Sequence, residues 1–224
     1  MLLICMQTLA TRILSTSKGH MRVSVFCGTS IDGFLARPDD TFDFLDTLGA
    51  GPHGFTQFFN TVDVVVLGRR TFEVVRNLGH FGLYGKKQIV VLSSKPLDLS
   101  SIKARIEQMS GTPQEIVRQL EKRRFKHAYV DGGITIQQFL AAGLVDRITV
   151  TRVPVLIGRG IPLFGPLPHD IHLKHVATRS YKGGLVQSKY QAKRLEPRGI
   201  SSKRRLVRSG KRMRTKYLRG AGAP

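Results

Sequence analysis

The stretch "YVDGGITIQQFLAAG" (129–143) changes pattern halfway along. Tyr129 and Val130 end an apolar, strand-like run, Asp131 adds a carboxylate, and Gly132-Gly133 form a sharp turn. A helical pattern begins at once at Ile134. A strand ending in a carboxylate and two glycines before a helix has two readings. Glycine either lets two backbones pack closely, or it leaves room for something anionic or bulky against the peptide, where a Cβ would block it. At this point both stay open.

Upstream, "DVVVLG" (63–68) is a fully apolar strand followed by the short helix "RRTFEVVRNLG" (69–79), and "KQIVVLSS" (87–94) is another buried strand. "TPQEIVRQLEKRR" (112–124) is a helix with Thr112 as N-cap, Pro113 in its first turn and Glu115 completing a capping box. "RVSVFCGTSIDGFLA" (22–36) gives a buried strand and a turn at Asp32-Gly33. "RPDDTFDFLDTLGAGPHG" (37–54) reads as loop and "FTQFFNTV" (55–62) as a short helix. "LVDRITVTRVPVL" (144–156) is strand again, and "IHLKHVATRSYKGGLVQSKYQAK" (171–193) alternates apolar and polar around a hairpin turn at Lys182-Gly183-Gly184. Apolar strands alternating with helices predict an α/β domain with a mainly parallel central sheet, helices on both faces and an antiparallel C-terminal hairpin.

The formal net charge of +21 over 224 residues is unevenly spread. Residues 193–224 hold 12 Lys and Arg against one Glu, without apolar periodicity, and read as a disordered basic tail open to non-specific nucleic-acid contact. Residues 1–20 contain no acid and read as a disordered extension; they weakly resemble a transit peptide, and Met21 is an alternative start. Residues 21–192 then form the domain. Two cysteines, with Cys27 in a strand pattern, make no disulfide framework and suit a reducing, cytoplasmic setting. No run approaches the roughly 20 apolar residues of a membrane span. His169, His172 and His175 recur every three residues, but His172 and His175 would face opposite sides of a strand, so no metal is expected.

In open α/β sheets ligands sit beyond the carboxyl ends of the strands. Three such ends stand out. "LGRRTFE" (67–73) starts a helix with Arg69, Arg70 and Thr71 after Gly68, where free N–H groups and two guanidinium groups suit a phosphate. "VVLSSK" (90–95) offers the Ser93 and Ser94 hydroxyls and the Lys95 ammonium after Leu92, a set suited to a phosphate monoester. "VDGG" (130–133) offers a glycine turn for a pyrophosphate. One extended ligand with a pyrophosphate and a separate phosphate satisfies all three, and NADPH has that shape. The G-x-G-x-x-G fingerprint is absent.

"VVVLGRRTFE", "VVLSSK" and "YVDGGITIQQFL", in this order, resemble the dihydrofolate reductase superfamily. "SIDGFLA" (30–36) and "VDGGITIQQFLAAGLVDRITVTRVPVLIGRGIPLF" (130–164) are most similar to the reductase domain of bacterial riboflavin biosynthesis and its stand-alone relatives. The resemblance implies that Gly68, Arg69, Arg70 and Thr71 hold the pyrophosphate and 2′-phosphate side of NADPH. It implies that Leu92, Ser93, Ser94 and Lys95 lie near the 2′-phosphate and adenosine. Gly132, Gly133, Ile134 and Thr135 would pack under the pyrophosphate and nicotinamide, and Ser30 and Asp32 would line the first turn near the nicotinamide. Asp131 matches an acidic position that contacts substrate, and Asp131 or Asp32 would supply the proton.

The implied activity is NADPH-dependent reduction of a small heterocycle, of the 5-amino-6-(5-phosphoribosylamino)uracil reductase type, with a homodimer as the expected assembly. The chain departs from the family in two places. The pterin-binding carboxylate of dihydrofolate reductases has no counterpart around "GPHGF" (51–55), which speaks against dihydrofolate reduction. Where the riboflavin-pathway enzymes carry phosphate-binding basic residues, this chain has only Arg37 among Asp39, Asp40, Asp43 and Asp46. The alternative is a nucleotide- or nucleic-acid-binding protein with a degenerate active site.

Overall fold

The computed structural model describes residues 20–48, 51 and 53–192. The N-terminal extension (apart from His20) and the basic tail lie outside them, as do their expected roles. Fully apolar strands dictate a sheet covered on both sides. Eight strands form it, in the spatial order β5 (Ile106–Met109), β4 (Gln88–Leu92), β3 (Val64–Gly68), β6 (His127–Asp131), β1 (Arg22–Thr29), β7 (Arg147–Arg152), β10 (Val186–Ala192) and β9 (Leu173–Ser180). The first six pair in parallel; β10 runs antiparallel to β7, and β9 to β10. This is the expected architecture.

The period of two sorts the strand residues onto two cores. Val64 and Val66 of β3 face α3 (Pro113–Lys122) and α4 (Gly133–Ala141), together with Val23, Val25, Val130, Ile116, Leu120, Ile136 and Phe139. Val65 and Leu67 face α1 (Phe55–Asn60) and α2 (Arg69–Asn77), together with Phe26, Phe72, Tyr84, Val91 and Tyr129. The capping box of α3 forms as the sequence predicts: the Glu115 N–H donates to Thr112 Oγ1 at 3.3 Å and the Thr112 N–H to Glu115 Oε2 at 2.8 Å. At the N-terminal edge of the sheet, carboxylates take up backbone N–H groups that the ladders leave over. Asp63 accepts from Lys126 and His127 at 2.8 and 2.9 Å, and Asp146 from Val23 at 2.7 Å.

Three elements differ from the sequence reading. β5, in the polar run "IEQM", extends the sheet by one parallel strand; it carries too little apolar signal to be read alone. A small second sheet pairs β2 (Phe34–Ala36) with β8 (Ile161–Pro162), and a 3-10 turn at Asp43–Leu48 breaks the acidic loop. The third is β9, whose alternation predicts one buried face; every one of its residues is exposed. It lies beyond β10 at the sheet edge, and no helix among the described residues packs on it.

Burial therefore differs sharply between apolar positions. Phe72→Ala, at a fully buried site, is expected to cost about 3–5 kcal/mol in urea unfolding. Val176→Ala, at a β9 position 59% exposed, should stay within about 0.5 kcal/mol. Similar losses at both sites would contradict this layering.

Candidate active site

β3 and β6 are neighbours, and each runs directly into a helix through a glycine: Gly68 into α2 and Gly132 into α4. The two turns interlock. A Cβ on Gly68 would fall on the Oγ1 of Thr135 in α4, and a Cβ on Gly132 on the Oγ1 of Thr71 in α2. Gly132 also has φ +96°, a conformation that L side chains rarely adopt. Gly133 is tightly packed as well, since its Cβ would lie 3.0 Å from Ile161 Cγ2 and 3.2 Å from the Pro162 carbonyl oxygen. Packing inside the protein is thus reason enough for glycine at all three positions. Gly133→Val would meet β8 before any ligand.

The interlock brings the N-termini of α2 and α4 to one place, and neither has a side-chain cap. Their first N–H groups carry the positive end of the helix dipole. They open into a cleft of about 1120 Å³ at the carboxyl ends of β3, β6 and β1. Of the residues singled out from the sequence, Gly68, Arg69, Arg70, Thr71, Leu92, Asp131, Gly132, Gly133 and Ile134 line it.

The remaining six do not line it, and their contacts explain why. Ser93 donates its hydroxyl to the Lys95 carbonyl at 2.7 Å and accepts the Lys95 N–H, which uses it inside its own loop; Ser94 and Lys95 are exposed beside it. Ser30 is fully buried and accepts the Phe34 N–H at 3.0 Å. The Asp32 carboxylate accepts the Gly158 and Ile157 N–H groups at 2.8 and 3.2 Å, tying the first turn to the loop after β7. Its hydrogen bond with Ser30, and then those two N–H groups, hold the carboxyl below its usual range, so it is a poor proton donor. Thr135 is the buried strut beneath Gly68.

Asp131 is the opposite case. It points from the end of β6 into the cleft beside Tyr129, Tyr84 and Cys27. Burial pushes its carboxyl up; the Gly132 N–H, donating to Oδ1 at 2.8 Å, and the Tyr129 hydroxyl partly oppose that rise. Burial, and then the Asp131 charge, push the Cys27 thiol and the Tyr84 hydroxyl up in turn. A carboxyl in this setting holds its proton more readily than an exposed one.

The two arginines in the first turn of α2 have carboxylate partners: Arg69 Nε lies 2.8 Å from Glu73 Oε1, and Arg70 Nε 2.6 Å from Asp40 Oδ1. These pairs are exposed, and such pairs are worth about 0–1 kcal/mol, so a phosphate can replace the carboxylate. On the far side of Asp131 the wall is apolar. Phe26 of β1 stacks on Phe58 of α1 with centroids 5.0 Å apart and meets Phe55 edge-on at 5.4 Å. Leu45 comes down over Gly28, where a Cβ would lie 2.9 Å from Leu45 Cδ2. His53, with φ +41°, also lines the cleft, its carbonyl held at 2.9 Å by Gln187 Nε2. The sequence reading missed this half; its one signal was the Phe55, Phe58 and Phe59 cluster in a short helix.

The interlock makes a coupling prediction. In a double-mutant cycle, Thr135→Ala should relieve part of the cost of Gly68→Ala, with a coupling of about 0.5–3 kcal/mol by urea unfolding; simple additivity would argue against contact. Asp131 predicts a pH dependence. Its folded-state pKa is raised, so the stability it contributes is full below the unfolded value and is lost as pH rises through the folded one. Asp131→Asn should therefore be more stable than the parent at neutral pH, by a margin that shrinks in acid. A margin independent of pH would refute the burial of this charge.

The family pattern of the RibD C-terminal domain matches residues 22–187. A crystal structure from Shewanella sp. PV-4, named for riboflavin biosynthesis, is 31% identical with a TM-score of 0.73 and covers 78% of this chain and 100% of its own. The Thermotoga maritima protein named diaminohydroxyphosphoribosylaminopyrimidine deaminase/5-amino-6-(5-phosphoribosylamino)uracil reductase shares the fold at 14% identity and TM-score 0.61, over 78% of this chain and 57% of its own. Dihydrofolate reductase from Enterococcus faecalis, complexed with NADP(H) and RAB-propyl, does so at 16% identity and TM-score 0.54, over 76% and 96%. A family match across most of the chain, and a near relative spanned in full, agree with the interlocked glycine turns: on a dihydrofolate reductase-like fold, this chain belongs to the RibD C-terminal domain family of riboflavin-biosynthesis reductase-like proteins.

Proposed function

We propose that the protein is an NADPH-dependent oxidoreductase that acts on a small heterocyclic substrate, with chemistry of the 5-amino-6-(5-phosphoribosylamino)uracil reductase type. The observation that carries this reading is the meeting of two uncapped helix N-termini beside a half-buried carboxyl in one cleft. NADPH, when bound, supplies the hydride. The donor set fits that cofactor: the first N–H groups of α2 and α4 face one anion site, and Arg69 and Arg70 add charge beside it. The Enterococcus neighbour's NADP(H) supports the same cofactor on this fold. Asp131, whose Oδ1 accepts the Gly132 N–H, would carry the proton at Oδ2 and deliver it to the acceptor. Phe26, Tyr129 and Leu45 would keep water away from that transfer.

Calorimetric titration of the full chain tests the cofactor. NADP+ should bind more tightly than NAD+. Arg69→Ala and Arg70→Ala should each weaken NADP+ by about 1.5–3 kcal/mol for a lost charge-assisted contact. Lys95→Ala, outside the cleft wall, should weaken it less. Equal affinity for NADP+ and NAD+ would overturn the assignment.

A further inference from the structure

The cleft has two chemically different ends, and the sheet order separates them. β3 and β4 bring Gly68, Arg69, Arg70 and Leu92 to one side of Asp131; β1 and β7 bring Phe26, Gly28 and Thr151 to the other. We propose that the substrate of this cleft carries a planar, uncharged ring and no phosphate group. This rests on the reductase reading above and narrows its substrate.

The first observation is the wall. Phe26, Phe42, Leu45, Phe55 and Tyr129 surround the space beyond Asp131, and Gly28 leaves room for the Leu45 side chain in that wall. Phe55 and Phe58 meet the Tyr129 ring edge-on at 6.1 and 5.3 Å, so the aromatic side chains are fixed by one another. Offset or edge-on contact with such faces suits a flat ring.

The second is charge. In a chain with a formal net charge of +21, the described wall of the cleft holds only two cations, Arg69 and Arg70, and two carboxylates that balance them, Glu73 and Asp40. Both cations lie in the first turn of α2, each beside its carboxylate. Arg37, the basic residue of the acidic loop, does not line the cleft and pairs with Asp43 through Nε at 2.6 Å and through Nη2 at 3.0 Å. The apolar end therefore presents no cation to a substrate phosphate among the described residues. A phosphate moved there would lose water without a cationic partner. The pyrophosphate and 2′-phosphate of the cofactor would add further negative charge to the same cleft.

The test is a matched pair of probes, 5-amino-6-ribosylaminouracil and its 5′-phosphate, titrated calorimetrically into the full chain with and without NADP+. The proposal expects the phosphate to improve binding by no more than about threefold. Phe42→Arg, at a position 37% exposed where a long cation is tolerated, should tighten the 5′-phosphate about tenfold relative to the unphosphorylated probe. A larger phosphate preference in the parent chain overturns the proposal, and so does failure to bind either probe. A chain that binds the unphosphorylated probe but not NADP+ would sink the cofactor assignment and leave this substrate class standing.

Discussion

Everything at the cleft depends on one reciprocal contact: a threonine of each helix fills the space that a side chain would need at the other helix's glycine. Thr135 lies where a Gly68 side chain would be, and Thr71 where a Gly132 side chain would be. Because β3 and β6 are adjacent parallel strands, their following helices leave the sheet side by side, and only glycine at both exits lets the two first turns interlock. Two helix N-termini then converge on one point. Neither is capped by a side chain, whereas α3, distant from the cleft, is capped in full by Thr112 and Glu115. Packing alone accounts for these glycines, and the same packing sets the two helix N-termini side by side at the cleft.

The electrostatics follow from where each carboxylate sits. Asp63 and Asp146 lie at the N-terminal edge of the sheet and accept backbone N–H groups; Asp32 does the same for a loop. Asp131 lies at the carboxyl edge, with Gly132 as its single backbone donor and burial raising its proton affinity. It is the one carboxyl of this group placed both to hold a proton and to meet a ligand. The arginines of the cleft lie on the α2 side of it, and the aromatic side chains on the α1 side.

Much of this was legible in the residues. Strand hydrophobicity reported the parallel sheet, because strands buried on both faces must be apolar throughout. The α3 capping box was readable residue by residue, since a cap is set by neighbours in sequence. The "GRRT" and "VDGG" turns were recognised as cleft-forming for the same local reason. "LSSK" misled: Ser93 has the right chemistry, but its hydroxyl is taken by the backbone two residues on. The hairpin of β9 and β10 was legible too, but its alternation did not report the exposure of β9, because whether a face is buried depends on what packs against it.

By itself the sequence determined the order of strands and helices, the glycine exits and the carboxylate of Asp131, all of them local or periodic properties. Tertiary structure alone decided that Thr71 and Thr135 explain the glycines, that Asp32 supports a loop, and that Phe26, Leu45, Phe55 and Tyr129 form one wall. Those contacts join residues tens of positions apart in the chain, and no pattern along it encodes which side chains the sheet order will set face to face.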